Sequence, residues 1–142
     1  MLLPPDQDTE RRSLILSRFA EPLFDYVFDE NTFESDYQRI GRSAIESEYT
    51  DDEIAAIYWH EVFPAIAGSW ISIDPTDPTW LKQRVCKRPI LGFLLTLLVR
   101  PWWLCVGRDC WRKIKMSIEI VRNTVATETK SLVSIKDIGN DK

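Results

Sequence analysis

His60 and Glu61 stand side by side in a segment of helical spacing, and a His-Glu pair on a helix invites a zinc-protease reading. That chemistry needs a second histidine one turn further on, so that two ring nitrogens reach one metal. Position 64 is Pro64, and His60 is the only histidine in the chain. Zinc-protease chemistry is therefore excluded. A lone general base at His60 would need further positioned groups, and Ser–His or Cys–His hydrolysis would have to run through the same residue. The glycine-spaced signatures G-x-S-x-G, G-x-x-x-x-G-K-[ST] and G-x-G-x-x-G are all absent. Three cysteines, Cys86, Cys105 and Cys110, give neither the paired ligands of a structural zinc site nor the even count of a disulfide framework. The expectation is a chain with no catalytic residues, no metal, no cofactor and no enzymatic activity, whose cysteines are small apolar side chains.

Binding is the better lead. Glu46, Glu48, Asp51, Asp52 and Glu53 crowd one short stretch. Helix capping accounts for Glu53, but it leaves four like charges that repel one another. Such a face steers a basic partner and disfavours wrong ones. Tyr58 and Trp59, which follow directly, are residue types that anchor interfaces. The candidate partner-binding set is thus Glu46, Glu48, Asp51, Asp52, Tyr58, Trp59, His60 and Glu61. A second cluster is basic: Lys82, Arg84, Lys87, Arg88, Arg108, Arg112, Lys113 and Lys115, with Trp102, Trp103 and Trp111 among them. Cations interleaved with aromatics suit single-stranded nucleic acid. The chain is acidic overall and carries no reader motif, so nucleic-acid binding is disfavoured.

These clusters divide the 142 residues by charge. Residues 1–80 hold 17 Asp/Glu against 5 Lys/Arg, a net of −12, whereas residues 81–142 hold 5 against 13, a net of +8. A content of 44% hydrophobic and 28% charged residues is that of an ordinary globular chain, which excludes a disordered or collagen-like one. The length fits a single domain over 1–142, with an acidic helical part at 8–88 and an apolar, basic part at 89–138. The first residues, MLLPPDQDTERR, lack the basic-then-apolar pattern of a secretory signal, so a reduced, cytoplasmic protein is expected. Ile90–Val99 is uncharged but half the length a membrane span needs, and Arg100 and Pro101 interrupt its extension to Val106. A buried core helix is the favoured reading. The alternative is interfacial membrane contact through Ile90–Val106, within an apolar and basic segment at 88–115.

The elements that would position these residues are mainly helical. Leu14, Ile15, Phe19, Leu23, Tyr26 and Val27 mark a helix over 8–29, which Pro22 should kink or divide before the polar stop at Asp29–Asn31. Tyr37, Ile40, Ala44 and Ile45 mark a second over 35–46, weakened at Gly41 by about 1 kcal/mol. Thr50 and Glu53 form a capping box with Tyr49 and Ile54 as its hydrophobic staple, opening a helix that should run to Phe63 and stop before Pro64. A Gly- and Pro-containing connection spans 64–78. Asp77 and Pro78 open a helix to Lys87, Pro89 separates the apolar helix at 90–99, and a short helix follows over 102–111. Beyond it, Ile114, Met116, Ile118 and Ile120 alternate with polar residues, although Ile114, Ile118, Val121 and Val125 also fit a helical stripe. The alternation favours a strand paired with 131–138. The expected fold is mainly α, one compact domain of five or six short helices, with room for a small C-terminal β-hairpin.

Thr50, Glu53 and Ile57, then Glu61-Val62-Phe63-Pro64, then Gly68-Ser69-Trp70 and Trp80-Leu81-Lys82-Gln83-Arg84-Val85 together resemble a family of small bacterial proteins known as a domain of unknown function. Arg11-Arg12, followed by an apolar helix, resembles the start of that family, and the likeness covers residues 11–88. It implies a helical fold, transfers no activity, and leaves the segment beyond Pro89 outside the pattern. Small size, an acidic face and the lack of catalytic motifs make the expected function that of a non-enzymatic bacterial immunity or antitoxin-type inhibitor. Its partner would be a toxin or effector with a basic surface.

Overall fold

In a computed structural model of the protein, the residues described are 2–24, 33–67, 79, 82, 83, 85, 94, 95, 97, 98 and 101–138. Helix α1 spans Thr9–Phe24, α2 Phe33–Glu46 and α3 Asp51–Ile57. A π-helical turn over Tyr58–Val62 joins α3 to α4, Phe63–Ala67. The last helix, α5, runs from Trp103 to Ile138. Helical backbone also occurs at Thr79, Lys82, Gln83 and Val85 and at Leu94, Leu95, Leu97 and Leu98. The mainly helical fold is as expected, and no strand occurs among the described residues.

The core gathers one stripe from each helix. Ile15, Leu16, Phe19 and Leu23 come from α1, and Ile40 and Ala44 from α2. Ile54, Ile57, Tyr58, Val62, Phe63 and Ile66 come from the α3–α4 stretch, and Val106, Cys110, Ile114 and Ile118 from α5. Among the described elements α2 packs most extensively on α5. Gly41 makes that approach possible, since a Cβ there would stand 2.5 Å from the Ser117 carbonyl oxygen and 2.7 Å from Val121 Cγ2. The residue that weakens α2 in isolation is the one that lets α5 lie against it.

The expected C-terminal hairpin is overturned, because residues 103–138 form one helix. Alternation and helical stripe agree on Ile114 and Ile118 and disagree on Met116 and Ile120. The first two are buried, with Val121, and the second two are half exposed. A core stripe at 3.6-residue spacing won over β-branching. Of the kink or division expected at Pro22 the division does not occur, and the stop expected before Pro64 fails. Pro22 lies inside α1, which continues to Phe24 rather than dividing there. Its carbonyl accepts the Cys110 thiol at 3.2 Å. Pro64 does not stop the third helix either. The Phe63 amide reaches back five residues to the Tyr58 carbonyl, and this wider turn takes up the crowding that a proline imposes on the preceding carbonyls. The polar stop at 29–31, the connection over 68–78 and the N-cap at 77–78 lie outside the described residues.

Candidate functional site

The turn from α2 into α3 carries the acidic cluster. α2 ends at Glu46, and Glu48 then takes a left-handed backbone (φ 56°), reversing the chain. Arg11 of α1 braces this reversal by donating to the carbonyls of Ser47 and Glu48, both at 3.0 Å. Its guanidinium also lies 4.1 Å from the centre of the Tyr49 ring. The Tyr49 phenol donates to Asp8, and burial together with that carboxylate raises its pKa. Thr50 then caps α3 as expected: the Glu53 amide donates to Thr50 Oγ1 at 3.3 Å, and the Thr50 amide donates to Glu53 Oε2 at 3.1 Å. The second bond holds the Glu53 carboxyl below its usual range. Tyr49 and Ile54, the staple pair, are both buried.

Glu46, Glu48, Asp51 and Asp52 are all exposed in and beside this turn. Asp51 accepts both Arg122 Nη atoms, at 2.6 and 3.0 Å, and this bidentate pairing lowers its carboxyl pKa. Between α3 and α5 runs an open groove of about 320 Å³ lined by Asp51, Asp52, Ile54, Ala55, Trp111, Lys115, Ile118, Glu119 and Arg122. It offers an apolar floor, an aromatic wall and charges of both signs along the rim.

The remaining four candidates occupy other settings. Tyr58 is fully buried, with its hydroxyl donating to the Gly107 carbonyl at 2.8 Å. Its ring stacks on Trp111 at 5.1 Å and meets Trp59 edge-on at 5.0 Å, so it belongs to the core rather than to a contact surface. Trp59 is half-buried against that core. His60 is exposed, more than two helical turns beyond Asp51. Glu61 turns inward, its side chain 11% exposed and 3.3 Å from Arg12, which is 1% exposed. Arg12 also donates to the Leu3 carbonyl. The sequence reading therefore finds Glu46, Glu48, Asp51 and Asp52, sets Trp111 and Lys115 in a separate basic cluster rather than in this groove, and misses Glu119 and Arg122. The signal for the last four was present. They fall at steps of four, four and three along one side of a helix, a pattern hidden by ending one helix at 111 and reading the alternation that follows as a strand.

Among the described residues no group of three or more His, Cys, Asp or Glu side chains could hold a metal ion. Cys105 is exposed, and burial raises the Cys110 thiol to about 11, which leaves it a poor nucleophile at neutral pH. No helix among the described residues is long and apolar enough to cross a membrane. No curated protein and no solved structure matches the chain. One family model does match, over residues 22–119, and its description is "domain of unknown function" (DUF7079). The match runs past Pro89 into α5, so the apolar segment and the first half of the last helix fall inside the family's stretch.

Proposed function

The chain belongs to the DUF7079 family, and from that premise we propose that it is a non-enzymatic binding protein. It is an immunity or antitoxin-type inhibitor of bacterial origin that occludes a toxin or effector with a basic surface. One observation carries this reading: Asp51 and Asp52 line the rim of the groove between α3 and α5, and the exposed Glu46 and Glu48 stand in the turn that leads into them. The carboxylates speed encounter with a positive surface, and the groove offers a desolvated place for a partner side chain. Trp111 takes the anchoring place expected of Tyr58. Asp51 is already paired with Arg122, so Glu46, Glu48 and Asp52 carry most of the unneutralised charge.

Affinity capture from the cell of origin tests this, using the full chain and an Asp52→Lys/Glu46→Lys variant side by side. The expected result is a stoichiometric protein partner of basic surface, retained by the first, weakened by salt and lost by the second at unchanged helix content. Recovery of no stoichiometric partner, or of one held equally by both, overturns the proposal.

A further inference from the structure

The second charge region carries a surface of a different kind. Leu98 is 81% exposed and Trp102 54%, and Leu94, Leu95 and Leu104 are about half exposed. Isolated apolar side chains at a surface are ordinary, but five within 94–104 are not. The indole of Trp102 stacks on that of Trp103, with centroids 5.4 Å apart and planes inclined by 16°. Since Trp103 packs against the core, this stacking holds the exposed ring in place at the start of α5.

The next turns of α5 present cations. Arg108 and Arg112 are exposed at steps of four from Leu104, so the three share one side of the helix, and the exposed Lys115 continues it. Asp109 lies 3.7 Å from Arg112 and 3.4 Å from Lys113, which leaves this side with a positive balance. The whole of 81–142 has a net charge of +8. Leucines, a tryptophan and flanking arginines are the residue types that settle at a bilayer interface, where acyl chains meet phosphate.

We infer that Leu94, Leu95, Leu98 and Trp102, with Arg108 and Arg112, dock on an anionic phospholipid surface. Leu95, Leu98 and Trp102 enter the boundary between headgroups and acyl chains, and Arg108 and Arg112 meet the phosphates. The protein lies on such a surface without crossing it. None of the residues assigned to the bilayer lines the acidic groove, which this side of α5 adjoins at Lys115, so the inference adds a location to the proposed inhibitor.

The full chain is mixed with vesicles of phosphatidylcholine alone and with vesicles containing phosphatidylglycerol, and read by co-flotation and tryptophan emission. Partition onto the anionic vesicles with a blue shift, falling as salt rises, is expected. Arg112→Ala should weaken that partition about five-fold, the share of one cation near a charged surface. Leu98→Asp should weaken it by about ten-fold or more, because a leucine's burial is lost and a carboxylate is added. Both positions are solvent-exposed, and circular dichroism verifies that each variant keeps its helix content. Three results would overturn the inference. They are no partition onto anionic vesicles, equal partition of Leu98→Asp and the unaltered chain, and a light-scattering dimer that Leu98→Asp turns into a monomer. The last would assign the patch to a second copy of the chain.

Discussion

The two halves of α5 are one continuous helix in two different physical situations. From Trp103 to Val121 it buries Val106, Cys110, Ile114, Ser117, Ile118 and Val121 beneath the other helices. From Arg122 to Lys130 every side chain is exposed. Composition does not separate them, since β-branched residues run through both. In the second half Thr124, Thr127 and Thr129 return their hydroxyls to the carbonyls four residues back, at 2.8–2.9 Å, which satisfies the side chains without favouring the helix. The first half is helical because it is packed. The second is helical because it extends a nucleus already formed, and adding a residue to a helix is far easier than starting one.

That contrast can be broken most severely on the packed side. Glu61→Ala leaves the Arg12 guanidinium buried without its carboxylate and should lower unfolding free energy by about 3–5 kcal/mol in urea denaturation. Ile114→Ala, which empties a site on α5 that is fully buried, should lower it by about 2–5 kcal/mol. Gly41→Ala places a methyl group on the Ser117 carbonyl and should lower it by about 1–3 kcal/mol, an effect opposite in sign to the helix propensity of alanine. A stabilised Gly41→Ala would mean that α2 and α5 do not approach this closely.

The boundary between the halves is the Asp51–Arg122 pair. It is well exposed on both sides, so Asp51→Asn should lower stability by less than about 1 kcal/mol. The pKa of Asp51 is lowered in the folded chain, so the contribution is present at neutral pH and lost as acid titrates the carboxyl. The difference between Asp51→Asn and the unaltered chain should therefore vanish only below about pH 4. On the far side, Val125→Ala should alter stability by no more than about 0.5 kcal/mol, since the side chain is half exposed. Hydrogen exchange sharpens the comparison further. Amides of 122–130 should lose protection well before those of 106–118. Equal protection along α5 would dissolve the distinction.

The parts legible in the sequence were those fixed by neighbours in the chain. Thr50, Glu53, Tyr49 and Ile54 lie within six residues, and their capping box and staple follow from local hydrogen-bonding chemistry. The parts that were not legible depend on distant partners. Met116 and Ile120 are apolar yet exposed, and only the packing of α2 at Ser117 reveals which side of 114–121 faces inward. Pro64 is a helix stop in isolation, but a π turn before it lets the helix continue. The site divides in the same way. Its four acidic residues lie within seven positions and were found, whereas the opposite wall comes from α5, with Arg122 lying 71 positions from Asp51.

The π turn also sets a phase. A regular α-helix turns about 100° per residue, so one residue more or fewer between α3 and α4 rotates everything after it by that amount relative to everything before. With the turn as it is, Ile54 and Ile57 face the core on one side of it, Val62 and Phe63 do so on the other, and Glu61 meets Arg12. Removing a single residue from 58–62 would keep the segment helical and its composition nearly intact, yet it would swing either Ile54 or Phe63 out of the interior. The segment should tolerate substitution at exposed His60 and fail on any change in length, a constraint of counting rather than of chemistry.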